Sequence, residues 1–153
     1  MGECGVRPRL SYDNVEALIY DPVSANRTST CAALYALGFR LTEMAASIDG
    51  FIEAIRKRPP DLALCEAQDA GDEPCKAIQL LRQDVEACNS FIVVIVTAWN
   101  KSPSLVRRVV DSGADDLLLR PFSTALLGSR IETRCDSVMT AAAGLELGVD
   151  RNA

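Results

Sequence analysis

The chain contains no histidine. That removes the usual general base of a serine or cysteine nucleophile, any phosphohistidine chemistry, and the imidazole ligands of a mixed zinc site. Its six cysteines are Cys4, Cys31, Cys65, Cys75, Cys88 and Cys135, and no two form a CxxC pair. They read as reduced thiols that behave as small apolar residues. No apolar run approaches the roughly 18 residues of a membrane span; the longest, FIVVIVTAW, is about half that. No apolar signal region follows the first methionine, and MGECGV lacks the Ser or Thr at residue 6 of a myristoylation pattern. A cytoplasmic location without membrane association is therefore expected. Basic residues do not cluster beyond Arg56-Lys57-Arg58 and Arg107-Arg108, and the net charge is −5. Both argue against a nucleic-acid partner, which needs a basic stripe. There is no GxGxxG and no GxxxxGKS/T, so a nucleotide-binding protein or small α/β enzyme would lack its usual phosphate loop.

What is present is ordinary for a globular domain. The 153 residues are 48% hydrophobic and 24% charged, enough for one domain with a real core. Short apolar runs alternate with amphipathic segments. VEALIYD (15–21) reads as a strand. SANRTSTCAALYALGF (24–39) has Cys31, Leu34 and Leu37 at helical spacing, with Gly38 at its stop. RLTEMA (40–45) is a weak second strand. SIDGFIEAIRKR (47–58) presents Phe51, Ile52 and Ile55 on one helical face and stops before Pro59-Pro60. DLALCEA (61–67) is the third strand, and CKAIQLLRQDVEA (75–87) the third helix. FIVVIVTA (91–98), apolar on both faces, has the pattern of a central parallel strand. SPSLVRRVVDSG (102–113) is a fourth helix with Ser102 as N-cap, Pro103 in its first turn and Gly113 at its end. DDLLLRP (115–121) is the fifth strand, and STALLGSRIETRCDSVMTAAAG (123–144) the last helix. Residues 1–14 and 145–153 read as loose ends around one unit at 15–144.

Strands alternating with helices predict a doubly wound α/β domain, with a parallel sheet between helical layers. Such sheets bind ligands beyond the carboxyl ends of their strands. The residues to read there are Asp21, Glu66, Thr97 and Arg120. Glu66 stands out, because a carboxylate ending an apolar strand is costly unless something pairs with it.

Four segments, ALIYDPVSANR, RPPDLALCEAQ, FIVVIVTAWN and DSGADDLLLRPF, occur in order and at family spacing. On them the chain resembles the receiver domain of bacterial two-component response regulators, over about residues 15–135. GADDLLLRPF, against the usual G-A-D-D-Y-L-x-K-P-F, is the most specific piece. The resemblance implies a flavodoxin-like (βα)5 sheet with strand order 2-1-3-4-5. In typical receivers an aspartate ending the third strand accepts a phosphoryl group from a histidine kinase, and two acids after the first strand help hold Mg²⁺. A Thr or Ser after the fourth strand and a Lys after the fifth contact the phosphoryl group. The face made by the fourth helix, fifth strand and fifth helix then shifts and binds partners.

Carried over residue by residue, the resemblance puts Glu66 at the phosphoacceptor position and Asp21 at the first acidic position. Pro22 replaces the second acid, a lost metal ligand. Gln68 stands where a backbone carbonyl faces the metal. Thr97 is at the hydroxyl position, Arg120 replaces the lysine, and Leu117 replaces the switch aromatic. Arg27 supports this register. The extra methylene of Glu66 adds about 1.5 Å of reach and moves the carboxylate into the metal and phosphoryl space. Misplacing a nucleophile by an ångström costs on the order of a hundredfold. Mg²⁺ wants near-octahedral oxygens, and only Asp21 and Glu66 remain to offer carboxylates, so no cofactor is expected. Arg120 presents a planar fork suited to a carboxylate bidentately. A Glu66–Arg120 pair with Thr97 nearby would then imitate an activated receiver in part.

Read this way, the chain is a pseudo-receiver: not an enzyme, but a phosphorylation-independent interaction module. Its output would be a protein contact or homodimer through the face from Ser102 to about Cys135, with no room for a DNA-binding domain after residue 144. The alternative is a working receiver that takes a phosphoryl group with Mg²⁺ on Glu66 or a nearby acid such as Asp69. The residues taken singly allow plainer roles: Asp21 as a cap of the first helix, Thr97 as a strand residue, Trp99 as a half-exposed loop aromatic, and Leu117 and Leu119 as sheet core.

Overall fold

The computed structural model describes residues 12–68, 71–83 and 93–134. Five strands, β1 (Glu16–Tyr20), β2 (Leu41–Ala45), β3 (Leu62–Glu66), β4 (Val93–Ala98) and β5 (Asp116–Leu119), alternate with helices. The helices are α1 (Ser24–Leu37), α2 (Ile48–Lys57), α3 (Glu73–Gln83) and α4 (Pro103–Ser112), followed by α5, helical over 124–134. The strands form one parallel sheet in the order β2-β1-β3-β4-β5, the flavodoxin-like arrangement.

The inner strands β3 and β4 are buried along their whole length, and β1 nearly so. Their alternation divides the core between two helical layers. Leu18, Tyr20, Ala63, Cys65, Val94 and Val96 pack with Phe51 of α2, Ile78 of α3 and Leu105 of α4. Ala17, Ile19, Leu62, Leu64, Val93 and Ile95 pack with Leu34 of α1 and with Leu127 and Ile131 of α5. The strand RLTEMA is weakly apolar because β2 is an edge: Leu41 and Met44 lie exposed there.

Helix ends follow local chemistry. Ser47 Oγ accepts from Gly50 N at 3.0 Å, and Ser102 Oγ from Leu105 N at 3.1 Å, each satisfying an orphan N–H. Gly38 and Gly113 end α1 and α4 at φ of 110° and 91°, the left-handed region that glycine enters without a Cβ penalty.

Three expectations change in detail. Helix α3 begins at Glu73 rather than Cys75, because Pro74 fits a first helical turn, where its missing N–H costs nothing. On α1 the buried residues are Thr30 and Leu34, with Cys31 and Leu37 only half-buried. On β5 the deeply buried leucine is Leu118; Leu117 is half-buried against the α2–α3–α4 layer, and Leu119 is exposed. That follows from β5 being the other edge strand. The last helix is described only to 134, so its predicted run to 144 lies outside the described residues, as do Asp69, Cys4, Cys88, Cys135, the predicted loose ends 1–11 and 145–153, and residues 84–87 and 91–92 of the predicted third helix and fourth strand.

Candidate functional site

Period-two alternation carries the side chains at the strand ends to one face. Asp21 follows Ala17 and Ile19, Glu66 follows Leu62 and Leu64, and Thr97 follows Val93 and Ile95. These partners line the α1–α5 layer, so the polar residues that continue the rows reach toward α1. Glu66 and Thr97 are also direct partners in the β3–β4 ladder. Arg120, two residues beyond Leu118, is anchored by its N–H to Ala98 O at 2.7 Å.

The result is a compact polar cluster. Thr97 Oγ1 donates to Glu66 Oε1 at 2.6 Å. Arg120 Nε donates to the same oxygen at 2.8 Å. Arg120 Nη2 donates to Thr30 Oγ1 at 2.9 Å and to Asp21 Oδ2 at 3.3 Å, and lies 3.5 Å from Thr97 Oγ1. The guanidinium also stands 5.1 Å from the Phe122 ring centroid. Relative exposures of 7% for the Arg120 side chain, 3% for Glu66 and 0% for Asp21 make this a buried ion cluster, in which removal of one member leaves a charge unpaired.

The bidentate Glu66–Arg120 pair expected from the sequence does not form. Thr97 and Arg120 Nε converge on one carboxylate oxygen, while Nη2 turns to Asp21 and Thr30. The fork is split because the α1 side offers two further acceptors. Thr30 is the site residue that sequence reasoning missed. Its signal was its place one turn before Leu34, on the buried stripe of α1.

Asp21 works in two directions. Its Oδ1 accepts from Val23 N at 2.8 Å, fixing the entry to α1, and its Oδ2 faces Arg120. Arg27 Nη1 donates to the Asp21 backbone oxygen at 2.7 Å, tying the loop back to the helix. Pro22 is exposed and has no side-chain oxygen. Gln68 and Trp99, the latter 53% exposed, line an open cleft of about 330 Å³ above Asp21 and Glu66. Leu117 packs on the opposite face of the sheet, away from the cluster. Among the described residues no three His, Cys, Asp or Glu side chains gather as a metal-binding group.

Burial pushes the Glu66 carboxyl above its ordinary range, opposed by the Thr97 and Arg120 hydrogen bonds and by the arginine's charge. Burial also pushes the Cys65 and Cys75 thiols up. Both stay protonated and pack as apolar residues.

The fold is the one seen in CheY-like receiver domains. A CheY-like response regulator receiver domain from Methanospirillum hungatei matches 83% of this chain and 98% of its own, with a TM-score of 0.73 and 20% identity. The chemotaxis protein CheY4 of Vibrio cholerae matches 78% of this chain and 97% of its own, with a TM-score of 0.69 and 17% identity. In sequence, the chain is 30% identical over 105 residues to the transcriptional regulatory protein CseB of Streptomyces avermitilis. That match covers 69% of this chain and 42% of CseB, so the chain spans less than half of that relative. No protein-family profile matches the chain.

Proposed function

We propose that the chain is an atypical receiver of two-component signalling that acts without taking a phosphoryl group, through contact with a protein partner. The observation that carries this reading is that the site is already filled by its own side chains. Glu66 Oε1 holds the two donors, Thr97 Oγ1 and Arg120 Nε, that a phosphoryl oxygen would otherwise engage. Phosphoryl transfer relies on an in-line nucleophile and metal charge neutralisation. Glu66 is held in a salt bridge instead. The residues present do not fit Mg²⁺, which needs near-octahedral oxygens and keeps several waters. Pro22 offers no oxygen, and the Arg120 guanidinium takes a cation's place between the two carboxylates.

A carboxylate supplies about one negative charge, against roughly 1.5 to 2 for a phosphate. Glu66 therefore imitates a phosphorylated site in part and holds one arrangement of β5 relative to β3. The α4–β5–α5 face suits a partner or a second copy: Val110, Leu119 and Leu126 are exposed there, and Arg130 pairs with Asp116 at 2.7 Å on the same side. The net charge of −5 weighs against nucleic acid, and no helix among the described residues is long and apolar enough to cross a membrane.

One observation favours the alternative of a phosphorylatable receiver: Glu66 Oε2 has no hydrogen-bond partner among the described residues and the side chain lines an open cleft. The two readings separate when partner capture is compared for wild type, Glu66→Asp and Glu66→Ala, each with and without a small acyl phosphodonor and Mg²⁺. Capture by wild type that ignores the phosphodonor and is lost in Glu66→Ala supports the first reading. Capture that requires the phosphodonor sinks it.

A further inference from the structure

The half of Glu66 that the cluster leaves unused points to a ligand. Oε1 accepts both side-chain hydrogen bonds made to the carboxylate, from Thr97 and Arg120. Oε2 accepts none among the described residues, although the side chain is 3% exposed. A buried carboxylate oxygen without a donor is costly, and native structures meet that cost with water, an ion or a ligand.

The cleft beside it is of small-molecule size, about 330 Å³. It is lined by Asp21, Asn26, Gln68, Trp99 and Asn100 besides Glu66. The Asn26, Gln68 and Asn100 side-chain amides make no hydrogen bond with the described residues and stand free at its rim. Trp99, half-exposed, lines the cleft beside them.

Charge selects the ligand class. Within the buried ion cluster two carboxylates, Asp21 and Glu66, face a single guanidinium, Arg120, which leaves the cluster one negative charge, while the Arg27 guanidinium is held on the Asp21 backbone oxygen instead of a carboxylate. An anion is repelled. A divalent ion would overfill the deficit and press on an arginine 3.3 Å from Asp21 Oδ2. We propose that this cleft binds a small monovalent organic cation, a primary ammonium or guanidinium that donates to Glu66 Oε2 and rests its alkyl part and charge against Trp99. Charge-assisted donors to carboxylates and cations over indole are both favourable pairings. Bound there, the cation completes the shell of the same carboxylate that joins β3 to β5, so it tightens the arrangement presented to a partner. This rests on the reading that Glu66 stays unphosphorylated.

The test titrates n-butylammonium at constant ionic strength and follows Trp99 fluorescence. The only tryptophan is the reporter. Neutral n-butanol and Mg²⁺ serve as comparison probes. A saturable change with n-butylammonium is expected, with none from n-butanol at equal concentration and at least tenfold weaker binding in Glu66→Gln. Asn26→Leu, a rim variant outside the ion cluster, should weaken binding severalfold and keeps the test decisive if Glu66→Gln fails to fold. An equal response to n-butanol, no saturable response, binding unchanged in the variants, or a response to Mg²⁺ at lower concentration would each overturn the proposal. Intact mass after phosphodonor treatment is read on the same samples. A chain that neither gains phosphate nor binds the ammonium fails this proposal alone, whereas one that gains phosphate fails the reading beneath it.

Discussion

Arg120 Nε donates to Glu66 Oε1 at 2.8 Å and joins the end of β5 to the end of β3 across the intervening β4. The same guanidinium reaches α1 through Thr30 and β1 through Asp21. One side chain therefore ties three strand ends and a helix around a buried carboxylate, and its removal has a calculable cost.

Arg120→Met should be among the most destabilising single changes at the site. It leaves Glu66 and Asp21 buried without a counter-charge, a loss of about 3–5 kcal/mol. Urea unfolding measures it. The double variant Arg120→Met, Glu66→Gln should recover part of that loss, since the stranded charge nearest the lost guanidinium is gone. If the double variant is as unstable as the sum of the singles, the two residues are not coupled as described.

Thr30→Val keeps the shape of the side chain and removes its hydroxyl. The Arg120 Nη2 group then loses its 2.9 Å acceptor. A hydrogen bond to a charged group is worth about 1.5–3 kcal/mol, and a loss in that range is expected. Cys31→Val, at a half-buried position one residue on, should change stability far less. Equal effects at the two positions would deny Thr30 a place in the cluster.

Glu66 also sets a pH dependence. Burial raises its pKa above the ordinary value of 4.5 by more than Thr97 and Arg120 lower it. The folded chain then binds the proton more tightly than the unfolded chain. The stabilising contribution of Glu66 is full below the unfolded value and is lost as pH rises through the folded one. Glu66→Gln does not titrate there, so wild-type stability relative to this variant should fall as pH rises from about 4.5 and then level off. Denaturant midpoints at stepped pH give the difference. A relative stability that climbs with pH would show that the arginine outweighs burial.

Much of this arrangement was legible in residues with strong local signals. FIVVIVTA has the pattern of a central parallel strand, and its described part, β4, is buried throughout. Ser102, Pro103 and Gly113 bracket α4 because capping chemistry acts within a few residues. Asp21, Glu66, Thr97 and Arg120 were legible as neighbours because strand ends in a parallel sheet converge. Thr30 was not, since a threonine on a helix carries no sign of what its hydroxyl meets across the fold. The split of the Arg120 fork was hidden for the same reason: it depends on competing acceptors from β1 and α1, which sequence spacing does not display. Leu119 looked apolar enough for the core, but its exposure follows from the strand's place at the sheet edge.

If the chain is the atypical receiver proposed above, giving it the residues usual at these positions should give it phosphoryl chemistry in proportion. Glu66→Asp alone shortens the carboxylate but leaves Pro22 and Arg120 in place, and no phosphate gain is expected. Glu66→Asp combined with Pro22→Asp and Arg120→Lys returns an acidic pair for Mg²⁺ and a point charge for the phosphoryl group. That triple variant should gain one phosphate with Mg²⁺ and an acyl phosphodonor, as read by intact mass. If Glu66→Asp alone gains it fully, Pro22 and Arg120 play no part in the proposed loss of phosphoryl transfer.

The most direct measurement is the intact mass of the wild-type chain after incubation with Mg²⁺ and a small acyl phosphodonor, beside Glu66→Gln under the same conditions. A site filled by its own Glu66–Arg120–Thr97 cluster predicts an unchanged wild-type mass. A stable gain of one phosphate in wild type, absent from Glu66→Gln, would contradict it.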